Sequence, residues 1–197
     1  MQGPDAPAPV DGRTLRALRT REAIVDATIA QIDDGDLRPT APRVAARAGV
    51  SVRSVFQHFA DLESLHAAVA ERLAERLAAL VLPVSPALPL DERIERFVHQ
   101  RGTLLDAVTQ IRRAAAVHGP FSPEIRARLR DGQAFLRTEV ETTFAAELAA
   151  APEPDVLLDA LDAATSWATW DTLRSGLRRS PEEARRAVVR TMRALLA

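Results

Sequence analysis

Residues 44–59 read VAARAGVSVRSVFQHF, two short apolar stripes separated by a glycine and a serine. Val44, Ala45 and Ala48 fall on one face of a helix over 41–48, and Gly49 is placed to end it. Val50 can fill the angle between two helices, and Ser51 can cap a second helix over 52–59 by accepting a backbone N–H. Val55 and Phe59, four apart, face inward on that helix. Val52, Arg53, Gln57 and His58 are left on its other sides. The pattern is a helix-turn-helix. Its DNA-binding version lays the second helix in the major groove, where side chains near the amino-terminal end meet base edges. Arginine can grip guanine O6 and N7 with two bonds, glutamine can pair with adenine, and a valine methyl can touch the thymine methyl.

Working outward, prolines and glycines punctuate a text of helical periodicity, and no run alternates as a strand would. The expected fold class is all-α. A helix over 14–33 is supported by Leu18, Val25, Ile29 and Ile32, with Gly35 after it. Asp61 sits where an N-cap belongs, three residues before Ser64, and opens a helix expected to reach about Leu82. Asp91 is placed to cap the next, whose stripe runs through Phe97, Arg101, Leu104, Val108 and Ile111 until HGPFSP breaks it. Further helices are expected over 123–149, 155–176 and 181–196. Residues 1–12 are rich in Pro, Ala and Gly and are expected to form a disordered tail.

Composition narrows the function. A chain of 197 residues, 47% hydrophobic, can bury a sizeable core. Without cysteine it has neither disulfides nor thiolate metal sites. The start of the chain lacks the basic cluster and apolar run of a signal peptide, and no stretch reaches the ~18 apolar residues of a membrane span, so a cytoplasmic location is expected. Every basic residue is arginine, which points to a GC-rich, bacterial genome. The formal net charge is −1, yet between residues 13 and 60 eight arginines face five acids, a local balance of +3. Positive surface is therefore expected near the amino terminus.

From about Arg16 to Leu65, the long first helix followed by TAPRVAARAGVSVRSVFQHFADLESL resembles the amino-terminal domain of TetR-family transcriptional regulators. The matching features are the Thr start, Val-Ala, Ala-Gly-Val-Ser, an aromatic, His-Phe and a capped fourth helix. The resemblance implies a helix-turn-helix DNA-binding domain over 13–65 and a larger helical effector-binding and dimerisation domain over 66–197. It implies that Thr40 and Ser51 bond phosphates, that Arg43 approaches DNA from the second helix, and that Val52, Arg53, Ser54, Gln57 and His58 form the recognition surface. Phe56 stands where a tyrosine is usual and Leu62 where a lysine often contacts phosphate, which removes two phosphate contacts and leaves more to the arginines at 13–21. The function implied is a repressor released from an inverted-repeat operator by a small-molecule effector. No cofactor is expected.

The carboxy-terminal half carries less chemistry. Val156, Ala160, Ala163, Trp167 and Trp170 form one stripe, with Leu157, Leu161, Ala164 and Ala168 beside it, so the helix must be covered on several sides. Helices at 155–176 and 181–196, with Ala184, Val188, Thr191 and Leu195, are expected to build a homodimer, and the resemblance favours the same face. Phe97, Arg101, Leu104, Phe135 and Trp167 are candidates to line an apolar effector cavity, Arg101 being suggestive because a buried arginine needs an anionic or polar partner. Glu63 and His66 have a spacing used in carboxylate-bridged metal sites, but only one such pair exists, so no metal is expected. His118 beside Gly119-Pro120 reads as a helix-ending residue. No phosphate loop, GxSxG or dinucleotide fingerprint is present. The alternative to a regulator is a helical enzyme or interaction module that does not bind DNA.

Overall fold

The computed structural model describes residues 12–78 and 80–197. The chain divides between Val69 and Ala70 into two compact units. All regular structure among the described residues is helical. The tail expected over 1–12 lies outside the described residues except for Gly12, which opens the first helix.

The first unit contains α1 (Gly12–Asp33), α2 (Ala41–Ala48), α3 (Val52–His58) and the start of α4 (Leu62–Ala78). Ile24, Val25, Ile29 and Ile32 of α1 are buried, as are Val44 and Ala45 of α2, Val55 of α3, and Phe59, Leu65 and Val69. Gly35 and Gly49 take left-handed φ values of 92° and 68°, a conformation open to glycine at little steric cost, and each closes a helix. Val50 N–H donates to Ala45 O at 3.0 Å, which folds the chain back toward α3. Asp61 Oδ1 accepts Ser64 N–H at 2.7 Å, the cap anticipated for α4. Leu18 departs from expectation. It is 51% exposed, because the first two turns of α1 extend past the packed part of the unit.

The second unit is built from the end of α4, α5 (Leu90–His118), one turn of 3-10 helix at Gly119–Phe121, α6 (Pro123–Thr143), α7 (Ala145–Ala150), α8 (Pro154–Ala164), α9 (Trp167–Asp171), a π-helical turn at Thr172–Gly176, and α10 (Pro181–Leu195). Its core joins Ile94, Phe97, Leu105, Val140, Phe144, Leu161, Trp170 and Met192. α4 stops short of Leu82, and a proline-rich segment leads to α5, whose N-cap is Pro89 rather than Asp91. The helix expected over 123–149 breaks at Phe144, which leaves helical geometry with φ −113° and ψ 26° while its ring is wholly buried. The helix expected over 155–176 breaks at Thr165-Ser166. Ser166 Oγ accepts Thr169 N–H at 3.2 Å, a local alternative to the helix ladder. Ala184 and Val188 are buried in the chain's own core, so they do not face a second subunit as expected.

Candidate nucleic-acid interface

The site is built from the turn at Gly49 and the seven residues of α3. Ser51 Oγ accepts Ser54 N–H at 3.1 Å and fixes where the helix starts. Its hydroxyl proton is left to donate elsewhere. Val55 is buried at 2% and Phe59 at 2%, and the Arg21 guanidinium lies 4.9 Å from the Phe59 ring centre, so α3 is anchored along one edge. Its opposite side carries Val52, Arg53, Phe56 and Gln57, all exposed, with Ser54 and His58 half-buried at the margins. Val52 and Phe56, at 38% and 53%, form an exposed apolar pair one turn apart. Arg53 and Gln57 stand beside that pair without a side-chain partner among the described residues, so their donors are available to an outside acceptor.

Thr40 occupies the N-cap of α2, and its side chain makes no cap hydrogen bond. An exposed threonine hydroxyl at a helix start suits a phosphate oxygen. Arg43 is different. It pairs with Asp36 at 2.9 Å, and Arg47 pairs with Asp34 at 2.5 Å. These contacts neutralise two of the eight arginines counted in the sequence, and Arg43 must exchange Asp36 for a phosphate in order to contact DNA. The sequence pattern does not reveal these pairs, because the acids belong to the turn after α1. Arg38, exposed in the same turn, adds a positive charge beside the start of α2 that no motif in the sequence marks.

The second unit does not gather the candidate effector residues around one cavity. Phe97 and Leu104 are in the solid core, and Phe97 packs edge-on to Phe144 with ring centres 5.3 Å apart. Arg101 is buried over the Phe97 ring at 4.7 Å; its Nη2 donates to Leu136 O at 2.8 Å and to Glu139 Oε2 at 3.3 Å. The polar partner that a buried arginine requires is therefore supplied by α6. Burial holds the Arg101 pKa below its ordinary value and pushes that of Glu139 above its own, against their mutual attraction. Phe135 is 48% exposed. Trp167 is half-buried, donating from Nε1 to Thr109 Oγ1 at 3.3 Å beneath the Arg112 guanidinium. The space beside Arg101 is about 10 Å³, room for no more than one water.

A cleft of about 590 Å³ opens instead between the segment after α4, α5 and α10. A second buried arginine went unnoticed in the sequence: Arg93 donates to Thr143 O at 3.0 Å and pairs with Glu147 at 2.5 Å. Among the described residues, no three His, Asp or Glu side chains converge as a metal site would require, and no helix is long and apolar enough to cross a membrane.

The fold is shared with known regulators. A TetR-family transcriptional regulator from Streptomyces coelicolor superposes with a TM-score of 0.70 at 16% identity, covering 90% of this chain and 80% of that one. A TetR-family regulator from Pseudomonas syringae pv. tomato gives 0.59 at 23% identity, covering 89% and 94%. The multidrug binding protein EbrR, solved with imidazole, gives 0.59 at 20%, covering 87% and 93%. No family model and no curated protein sequence matches the chain. At these identities the likeness establishes the fold, a helix-turn-helix unit followed by a larger helical unit.

Proposed function

We propose that the chain is a sequence-specific DNA-binding transcriptional regulator and not an enzyme, with residues 13–65 reading an inverted-repeat operator and 66–197 binding a small-molecule effector and dimerising. The observation that carries this reading is α3. A helix anchored by Val55 and Phe59 presents Val52, Arg53, Phe56 and Gln57 outward, two of them exposed apolar groups that water alone does not favour. That set suits a thymine methyl and the hydrogen-bonding edges of guanine and adenine. The fold shared with TetR-family regulators supports the same assignment, and repression relieved by an effector is the form that fold suggests.

Selection from random DNA tests it. Enrichment of a roughly palindromic site at moderate salt is the expected result, and absence of any enriched site would favour the non-DNA-binding alternative. Dimerisation is expected on the sides of α8 and α10 that the chain leaves uncovered. Val156 is 59% exposed and shares a stripe of α8 with Ala160 and Ala163, while Ala187, Thr191 and Ala194 form the outer stripe of α10. Small residues there let helices approach closely. Sedimentation should give a dimer for the wild type and a monomer for Ala163→Glu; a wild-type monomer at micromolar concentration would exclude the assembly.

A further inference from the structure

The 590 Å³ cleft of the second unit has a composition of its own. Val98 of α5 and Val189 of α10, both buried, form its floor, and Val84 and Leu88 its wall. Leu82 stands at the lip and is 71% exposed. No Phe or Trp lines it, which rules out recognition of a cation by ring faces. An aliphatic chain matches these surfaces better than an aromatic ring.

The charges around the rim are unevenly placed. Arg96 is paired with Glu92 at 2.6 Å, and Arg193 divides its guanidinium between Asp91 at 2.8 Å and Glu95 at 3.2 Å. On α10, Arg185 and Arg186 line the cleft with Glu182, a local excess of one positive charge on that side. Arg185 is held loosely. Its Nη2 donates to Thr103 Oγ1 at 3.3 Å, and its Nη1 lies 3.5 Å from a Glu182 carboxylate that is itself 70% exposed. Its Nε is buried with no hydrogen-bond partner among the described residues. Arg93, whose Nε is likewise unpartnered, differs in holding its carboxylate at 2.5 Å. A guanidinium beside an aliphatic floor, with only long contacts of its own, is suited to a carboxylate accepting two of its bonds.

We propose that this cleft binds a medium-chain aliphatic carboxylate, with the alkyl chain against Val98, Val189 and Leu88 and the carboxylate against Arg185. The proposal rests on the regulator reading for its purpose, since it names the effector class of that reading, but not for its test. The cleft is separate from the surface expected to face a second subunit. Glu182, Arg185 and Val189 follow one stripe of α10, whereas Ala187, Thr191 and Ala194 lie on the far side of the same helix.

Calorimetry on the full chain without DNA tests it, using decanoate below its micelle concentration and decanol and decyltrimethylammonium as chain-matched controls. Decanoate should bind saturably, about tenfold or more tighter than either control. Arg185→Gln should remove that preference and leave decanol binding unchanged. Leu82→Asp, at an exposed position where folding is not at risk, should weaken decanoate and decanol together. Absence of saturable decanoate binding, equal binding of all three compounds, or an unchanged preference in a folded Arg185→Gln variant would each overturn the proposal; should Arg185→Gln fail to fold, an unchanged affinity in Leu82→Asp would do so. A palindromic DNA site enriched without decanoate binding removes the ligand and leaves the regulator. Decanoate binding without any enriched DNA site does the reverse.

Discussion

Arg53 in the first unit and Arg93 in the second carry the same side chain into opposite surroundings. Arg53 is exposed on a seven-residue helix with no side-chain partner among the described residues, whereas Arg93 is 4% exposed, donates to Thr143 O, pairs with Glu147 and lies 5.5 Å from the Phe144 ring centre. The guanidinium is always charged and always carries five donors, so its surroundings decide its role. In one unit the donors are left for something outside the molecule. In the other, the two terminal nitrogens join α5 to α6 and α7.

That contrast is broken most severely at Arg93. Arg93→Met keeps the bulk of the side chain but leaves Glu147 and the Thr143 carbonyl without their donor. Removing one member of a buried pair costs about 3–5 kcal/mol, and a large fall in the urea midpoint of the second unit is expected. Both tryptophans, Trp167 and Trp170, belong to that unit, so their fluorescence reports it alone. A loss below about 1 kcal/mol would mean that the pair is solvated like a surface bridge.

Gly102 gives a smaller effect by a different route. A Cβ built there would lie 2.6 Å from Trp170 Cη2, too close for any real contact, and the indole is fixed by its Nε1 donating to Asp106 Oδ1 at 2.9 Å. Gly102→Ala should cost about 1–3 kcal/mol by forcing the ring off its rotamer. Alanine is ordinarily the better helix former, so a stabilised variant would show that the ring moves freely.

The same contrast explains what could be read from the sequence. The helix-turn-helix was legible because its signals are local: Gly49 at a left-handed corner, Ser51 as a cap, and Val55 and Phe59 on one face lie within eleven residues. Asp36 beside Arg43 was not, since a turn from another helix brings it there. In the second unit the stripe through Phe97, Arg101 and Leu104 correctly marked a buried face but could not say whether a cavity or Phe144 lay opposite. Phe144 and Glu139 are some forty residues away, and only packing brings them there. The breaks at Phe144 and Thr165-Ser166 escaped for a related reason. Each gives up helix hydrogen bonds for contacts made by the folded unit, and helical periodicity continues across both.

Arg53→Ala sharpens the comparison from the other side. With no side-chain partner among the described residues, it should leave thermal stability within about 0.5 kcal/mol of wild type. Operator binding should weaken by roughly 1–3 kcal/mol for each guanine contact, with relaxed preference at one position of each half-site. Binding of matched and singly changed operators by both proteins checks this, and equal losses on every sequence would assign Arg53 to phosphate rather than to a base.

Carboxylates in the two units should respond to acid with opposite sign. In the first unit Asp61 accepts Ser64 N–H, and that bond holds its pKa below the ordinary value. A depressed pKa means that the charged form favours the folded state. Its contribution is complete above the unfolded value of about 4 and is lost as pH falls through the folded one. In the second unit, burial raises the pKa of Glu139 despite Arg101 beside it. Here the protonated form is favoured by folding, so the contribution declines as pH rises from the unfolded value to the folded one. Asp61→Asn retains a capping oxygen without the charge and should flatten the loss of stability between about pH 6 and 3.5. Glu139→Gln should steepen it, because the variant lacks a group that gains on acidification. Urea midpoints across that range, followed by circular dichroism, measure both slopes. A Glu139→Gln slope equal to that of wild type would show that burial does not raise the Glu139 pKa, and one as flat as that of Asp61→Asn would show that Arg101 outweighs burial.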